Sequence, residues 1–226
     1  MIVGSLKPVE EIAASIANYR EVFVVGCGSC VTVCLSGGEK EVRQLVRELT
    51  QLPDYSDLPP SFKTATIERQ CEFDLVKRFL EIPADTDAIL SLACGIGVQI
   101  LADVFEPMPV IPALNTTFMG GADEAGIWRE KCRGCGDCIL EYTGGICPVA
   151  RCAKRLFNGP CGGTQGGQCE IDPQVPCAWT LIFNRLKLQD KLHLLMQIRS
   201  PRDWRPAGAS GPREHQRTGI VRSPGK

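Results

Sequence analysis

The sequence has few histidines, few aromatic residues and no excess of either charge. Only 2 of its 226 residues are histidines, and aromatic residues make up 6% of the chain. Both histidines, His193 and His215, come late in the chain and in polar surroundings, which argues against a histidine-activated cysteine nucleophile. The net charge of -1 at pH 7 gives no electrostatic sign of a partner such as nucleic acid or an anionic membrane surface.

Long hydrophobic runs are also missing. The most apolar stretch, residues 88–102, is interrupted by two glycines, a serine and a glutamine. The first 20 residues carry charges throughout and have no apolar centre of the signal-peptide type. We therefore expect a cytoplasmic protein with no membrane span.

Cysteine, by contrast, is abundant, since the chain contains 13 of them. Thiols in a reducing cytoplasm rarely stay paired as disulfides, and an odd number cannot pair completely. The composition therefore favours ligation of a metal or of a redox cofactor.

The first part of the chain alternates between predicted strands and predicted helices. Apolar or β-branched runs predict strands over residues 21–28, 64–71, 87–95 and 109–115. Apolar residues three and four positions apart predict a helix after each of the first three strands. The alternation predicts an α/β fold with a doubly wound, mostly parallel sheet over residues 1–125. A small cysteine-rich domain, stabilised by its cofactors, is expected over residues 126–200.

Five cysteines lie at or near the ends of these predicted strands. Cys27, Cys71 and Cys94 each end a strand, and Cys30 and Cys34 follow Cys27 at helical spacing. The carboxyl ends of parallel strands form the ligand crevice of an open α/β sheet. We therefore expect the three strand-end cysteines to bind one cofactor together with one or both of the others. The alternative is that these thiols are small buried apolar side chains.

Two glycines beside Cys27 allow two interpretations. Gly26 and Gly28 are spaced like the opening of a dinucleotide-binding fingerprint, but the third glycine position is Val31, and no acidic residue clearly ends the second strand. We interpret both glycines as cofactor-binding residues that let the backbone approach the bound group closely.

The remaining eight cysteines lie between residues 132 and 177 among few large apolar side chains. Such a segment cannot bury an ordinary core, so we expect bound metal to stabilise it. The first four cysteines have C-x2-C-x2-C spacing and a final Cys-Pro, which is typical of a ferredoxin-type [4Fe-4S] site. We call this set the first cysteine group: Cys132, Cys135, Cys138 and Cys147. Gly134 and Gly136 permit its tight turns and expose N–H groups to sulfur.

The last four cysteines follow at near-regular intervals and form the second cysteine group: Cys152, Cys161, Cys169 and Cys177. Four thiolates suit either a second iron–sulfur cluster or a zinc ion, and the spacing matches neither a usual ferredoxin nor a usual zinc finger. The last cysteine of a ferredoxin run can also ligate the neighbouring cluster. The division of the eight cysteines between sites therefore stays open.

Two segments follow the cysteines. Residues 178–195 predict an amphipathic closing helix with Trp179, Ile182 and Leu186 on one stripe. Residues 201–226 are rich in proline, glycine and arginine, and they predict a tail that is disordered or draped over a partner.

Taken together, the cysteine-containing stretches resemble a known family. They are VVGCGSCVTVCLSGGEKEV, IERQC, SLACGIGVQ, PALNTTF, CRGCGDCILEYTGGICPVARCAKRLFNGPCGGTQGGQCEI and PCAWTLIFNRL. The chain resembles the MetV-type small iron–sulfur subunit of bacterial methylenetetrahydrofolate reductases, which occurs in acetogens and other anaerobes. The resemblance covers roughly residues 8–190.

The resemblance implies a place in a larger complex. The partner would be a MetF-type subunit that carries FMN or FAD and reduces 5,10-methylenetetrahydrofolate to 5-methyltetrahydrofolate. This chain would contribute [4Fe-4S] clusters for electron transfer, with zinc as a candidate at one cysteine site. A ferredoxin or further electron-input subunits would supply the electrons. Two alternatives remain: a zinc-stabilised structural subunit of the same complex, and an independent cysteine-rich reductase.

Overall fold

A computed structural model describes the chain at residues 1–52, 60–208 and 211–214. The chain divides into two compact units, Met1–Glu130 and Lys131–Lys226. The elements up to the end of the first unit are, in chain order, β1 (Ile2–Leu6), α1 (Val9–Ile16), β2 (Glu21–Cys27), α2 (Cys30–Val33), α3 (Glu39–Thr50), β3 (Ser61–Ile67), α4 (Phe73–Phe79), β4 (Ala88–Leu92), α5 (Gly95–Val104), β5 (Val110–Pro112), β6 (Leu114–Glu124) and β7 (Ile127–Cys132).

The central sheet of the first unit has four strands in the order β3-β2-β4-β5. Each neighbouring pair is parallel, which confirms the predicted α/β class. Strand β2 is apolar and buried from Val22 onward, as expected for a strand that is covered on both faces. Its residues Val22 and Val24 pack with α1 and α3, whereas Phe23 and Val25 pack with α4 and α5. Helices therefore lie on both faces, as a doubly wound sheet requires.

The predicted strand boundaries differ from those in the structure. The first strand ends one residue early, at Cys27, and the third spans only Ala88–Leu92. The second strand spans Ser61–Ile67. It begins three residues before the predicted range of 64–71 and ends four residues before the end of that range. The predicted strand at 109–115 is divided into β5, which ends at Pro112, and β6, which begins at Leu114. The break occurs because β6 leaves the parallel sheet and pairs with β1 instead.

A second, three-stranded sheet has the order β1-β6-β7. Strands β1 and β6 are antiparallel, with Ile2 opposite Met119 and Leu6 opposite Leu114. Strands β6 and β7 form a hairpin whose turn contains Gly126 at a φ of 79°, a conformation that glycine adopts without strain. The sequence analysis predicted neither β1 nor this hairpin.

The second unit has little regular structure. Its α-helices among the described residues are α6 (Pro148–Arg151) and α7 (Ala178–Leu188). Trp179, Ile182 and Leu186 of α7 are buried together, so the predicted apolar stripe is present. The helix stops well before residue 195, because the chain reverses at Asp190, whose φ is 57°.

Short 3-10 turns form at Leu140–Tyr142, Leu192–Met196 and Arg205–Ala207. The last of these lies in the segment that we predicted to be a disordered or partner-draped tail. Residues 209–210 and 215–226 of that segment lie outside the described residues. Among the helices in the described part of the chain, none is both long and apolar enough to cross a lipid bilayer.

Candidate metal centres

The strand-end cysteines lie near the topological switch point of the sheet, between β2 and β4, where the connections from the two strands run to opposite sides. Strand β2 ends at Cys27, and its chain continues to β3 on one side, whereas β4 leads through α5 to β5 on the other side. Where the connections from two adjacent parallel strands run to opposite sides, a crevice opens at the carboxyl ends of those strands. Cys94 lies at the same end of the sheet, since it follows β4 and caps the N-terminus of α5. The fold thus places Cys27 and Cys94 on either side of a standard ligand-binding position.

Cys71 completes this set, although it is not a strand residue. It lies in the turn after β3, four positions beyond Ile67. Partial burial raises the pKa of its thiol, and the neighbouring sulfurs of Cys27 and Cys94 raise it further. The turn after β3 thus brings Cys71 to the edge of the sheet where Cys27 and Cys94 lie. We call Cys27, Cys71 and Cys94 the strand-end group.

Cys30 and Cys34, the two further cysteines predicted for this site, differ in their surroundings. Cys30 is half-buried at the first position of α2. Cys34 is buried, and its Sγ lies 3.1 Å from Ser36 Oγ and 3.8 Å from the carbonyl oxygen of Gly4. These polar contacts, together with its packing against Val31, give the Cys34 thiol the environment of a core side chain.

Gln70, which the sequence analysis did not single out, anchors the turn that carries Cys71. Its side chain is fully buried. Nε2 donates a hydrogen bond to the carbonyl oxygen of Val25 at 2.9 Å, and Oε1 accepts one from Ser91 Oγ at 2.6 Å. The carboxamide therefore ties the turn after β3 to both β2 and β4. No local sequence pattern marks this glutamine, because glutamine is usually exposed.

Gly26 and Gly28 have different constraints. A Cβ at Gly26 would lie 2.7 Å from Thr66 Oγ1 and 2.8 Å from Val42 Cγ2, so the absence of a side chain lets α3 pack closely on the sheet. At Gly28 a Cβ would meet its neighbours only at 3.4 Å or more. The N–H of Gly28 donates to the carbonyl oxygen of Ile67 at 2.8 Å, which links the ends of β2 and β3.

In the first cysteine group, backbone turns present N–H groups to sulfur. Gly134 has a φ of 60°, and its N–H donates to Cys132 Sγ at 3.3 Å. Gly136 also has a positive φ, of 77°. Cys132 and Cys138 are exposed, Cys135 is half-buried, and Cys147 caps the N-terminus of α6 with Pro148 next to it.

An arginine reaches the centre of this group from far along the chain. Nη2 of Arg202 donates to Cys135 Sγ at 2.8 Å and also contacts the carbonyl oxygen of Asp137. The side chain is only 3% exposed. Its buried Nε and Nη1 have no hydrogen-bond partner within the described part of the chain. A buried cation with spare donors beside a thiol fits an anionic group such as a thiolate-bound iron–sulfur cluster.

The second cysteine group surrounds one small cavity. All four of its cysteines line a space of ≈ 20 Å³, together with Lys154 and Glu170. Cys161 Sγ lies 3.2 Å from Glu170 Oε1, and Lys154 forms an ion pair with the same carboxylate. The hydrogen bond that Lys154 donates within this ion pair lowers the pKa of Glu170, and the contact with Cys161 lowers it further. The volume is large enough for about one water-sized atom.

Cys177 of this group is set up to be a thiolate. It occupies the N-cap position of α7. Burial alone would raise the pKa of its thiol, but hydrogen bonds from the backbone and hydroxyl of Thr180, the backbone of Trp179 and the side chain of Thr164 lower it overall. Since metals bind the thiolate form, these donors favour ligation.

All 13 cysteines are free thiols. Within residues 1–52, 60–208 and 211–214, the histidine, cysteine, aspartate and glutamate side chains form no set of three or more at metal-binding positions. The second cysteine group lines one cavity and the strand-end group lies at one edge of the sheet, but neither shows the close approach that direct coordination requires. Metal binding at either place would have to draw the sulfur atoms together.

The fold and these groups define an α/β protein that carries cysteine groups in both of its units. Residues 111–205 match the family model described as "Methylene-tetrahydrofolate reductase C terminal". That segment contains the whole of the first and second cysteine groups. Over these residues the chain is similar to proteins related to methylenetetrahydrofolate reductase. No curated protein and no solved structure matches the chain at a significant level.

Proposed function

We propose that this chain is the electron-transfer and assembly subunit of a flavin-dependent methylenetetrahydrofolate reductase. It would deliver electrons through [4Fe-4S] clusters to a MetF-type flavin subunit, which reduces 5,10-methylenetetrahydrofolate to 5-methyltetrahydrofolate. The observation that carries the proposal is the strand-end group, in which Cys27 ends one parallel strand and Cys71 and Cys94 follow two others at the same edge of the sheet. The family similarity over residues 111–205 supports the link to this enzyme.

The chain's own residues would hold and insulate the clusters. Cys27, Cys71 and Cys94 would be ligands of one cluster, with the half-buried Cys30 as a candidate for the fourth ligand. The first cysteine group would hold another, supported by the Gly134 N–H and by Arg202. An iron–sulfur cluster passes single electrons, and a flavin collects two of them before it reduces a substrate.

The second cysteine group favours a different occupant. Its four cysteines line one small cavity, and their spacing does not match a ferredoxin. Four thiolates around one ion is the usual arrangement of structural zinc. We therefore assign Zn²⁺ to this group, where Cys177 would be the ligand best prepared as a thiolate.

The test of the main proposal is reduction of the flavin. The chain is co-expressed with its flavoprotein partner, the complex is purified without oxygen, and flavin reduction by a low-potential donor is followed by its absorbance. We expect fast reduction with the wild-type chain and loss of reduction with the double variant C71A/C94A, while the partner still binds folate. Equal flavin reduction and folate turnover with and without this chain would make the electron-transfer role wrong and favour a purely structural subunit.

The zinc assignment is tested separately by elemental analysis. We expect C169A to lose about one zinc per chain and to keep its iron. A loss of iron and sulfide in C169A, with no change in zinc, would instead place a cluster at the second group.

A further inference from the structure

The side chain of Arg202 is a buried cation whose pairing is incomplete. Its nearest carboxylate oxygen, Asp137 Oδ2, lies 3.8 Å from Nε, which is beyond hydrogen-bond distance. Asp137 is itself about half exposed, so water screens its charge. A buried guanidinium is costly unless an anion compensates it. The strongest contact of Arg202 with a group that can carry negative charge is the one to Cys135 Sγ, at 2.8 Å.

The surrounding segment holds the guanidinium in this place. The guanidinium carbon of Arg202 lies 4.6 Å from the centre of the Trp204 ring, at the distance of a cation–π contact. Trp204 packs edge-on against Phe157, with ring centres 5.3 Å apart. A cation–π contact and an aromatic pair together fix the rotamer of a side chain that would otherwise be flexible.

Close backbone packing brings this segment to the first cysteine group. A Cβ at Gly136 would lie 2.5 Å from Pro206 Cβ. Only glycine therefore allows the two backbone segments to approach so closely. Gly136 lies next to Cys135, and Pro206 follows Arg202 by four residues. The glycine that the C-x2-C-x2-C turn contains is therefore also the one that admits the segment with Arg202.

We infer that Arg202 is a positioning residue of the first cysteine group, which raises the reduction potential of the cluster bound there through its hydrogen bond to Cys135 Sγ. The inference rests on the proposed function, since it requires a cluster at this group. Reduction takes one electron from the donor and makes the cluster more negative, and no bond of Arg202 is made or broken. A buried donor and positive charge at a ligand sulfur stabilise the reduced form more than the oxidised form. Burial keeps the interaction from being screened.

The inference is tested by redox titration of the anaerobic complex, monitored by EPR. The signal of the first group is identified as the one that C135S lacks. We expect the midpoint potential of this signal to be more negative in R202K, because a lysine cannot reproduce the planar donor geometry. In R202Q, which also loses the charge, the potential should be lower still. The signal of the strand-end group should not move in either variant.

The matched control is R205Q. Arg205 lies three residues away, its side chain is 81% exposed, and it pairs with Asp203 rather than with sulfur. R205Q removes the same charge and should leave the potential unchanged. A shift of equal size in R205Q would mean that only net charge matters, and it would overturn the role assigned to Arg202.

A wild-type potential in R202K, with full iron content, overturns the inference whatever R202Q does, and R202K decides alone if R202Q fails to fold. These outcomes are distinct from a failure of the proposed function. A wild-type chain that has no iron at the first group contradicts the proposed function itself, and this is known from metal analysis before any variant is titrated.

Discussion

The carboxamide of Gln70 and the hydroxyl of Ser91 form a hydrogen bond of 2.6 Å in the buried centre of the first unit. Buried polar atoms need hydrogen-bond partners, and here Ser91 Oγ and Gln70 Oε1 satisfy each other. Here the pair also has a positional effect. Gln70 precedes Cys71, so the bond fixes one member of the strand-end group relative to β4.

We expect Q70L to destabilise the first unit by about 1–3 kcal/mol, since it leaves Ser91 Oγ and the carbonyl of Val25 unsatisfied. It should also reduce the metal content of the strand-end group, because the turn that carries Cys71 is released. Anaerobic urea denaturation and iron analysis measure the two effects. Q44L is the control, as Gln44 lies on the exposed face of α3, where its amide contacts Glu48. An unfolding midpoint equal to that of the wild type would contradict the anchoring role of Gln70.

The strand-end group and Cys34 should respond differently to substitution. C71A/C94A should lose the metal of this group, whereas C34A should retain it and lose only about 1 kcal/mol from the missing buried side chain. Iron and sulfide are measured for each purified variant. Loss of the cluster in C34A would show that Cys34 is a ligand and that metal binding rearranges α2.

Removal of a first-group thiol should affect stability as well as metal content. C135S should lack about one cluster's iron and unfold at lower temperature, because the second unit has a small apolar core around α7 and depends on bound metal. Thermal unfolding and iron content are followed together, with the strand-end EPR signal as an internal reference. Unchanged iron and unchanged thermal stability in C135S would refute this dependence.

Alanine substitution tests whether Gly26, next to Cys27, acts in packing or at the cofactor. G26A should cost about 1–3 kcal/mol, because its Cβ would press on Val42 and Thr66. G121A is the control, since no atom lies within 4 Å of a Cβ there, and it should be nearly neutral. Urea denaturation gives both values. If G26A is as stable as the wild type but binds less iron, Gly26 acts at the cofactor and not in packing.

The parallel sheet could be predicted because its signals are local. Strand β2 is a continuous apolar run, and α3 after it has apolar residues at helical spacing, so each element is visible in a short window. The cysteines after β2 and β4 could be assigned to one edge by the same reasoning, since parallel strands share the direction of their ends.

The second sheet could not be predicted, since it depends on distant pairing. Strand β1 has five residues and no clear alternation, and its partner β6 lies more than 100 positions away. Without that pairing, the run at 109–115 looks like one strand. The burial of Gln70 and of Arg202 could not be predicted for a similar reason. Each is a polar residue in a stretch typical of a turn or a tail, and only tertiary contacts show that it is buried.

The pairing of β1 with β6 also has a consequence for the order in which the chain folds. As the polypeptide leaves the ribosome, β1 emerges before its only neighbour in the described sheet, β6, which ends at Glu124. The parallel sheet between them has all its strands by Pro112 and can form first. Contacts between residues so far apart in sequence form slowly, and an unpaired strand invites pairing with other chains. During synthesis, β1 therefore has an unpaired edge until β6 has emerged.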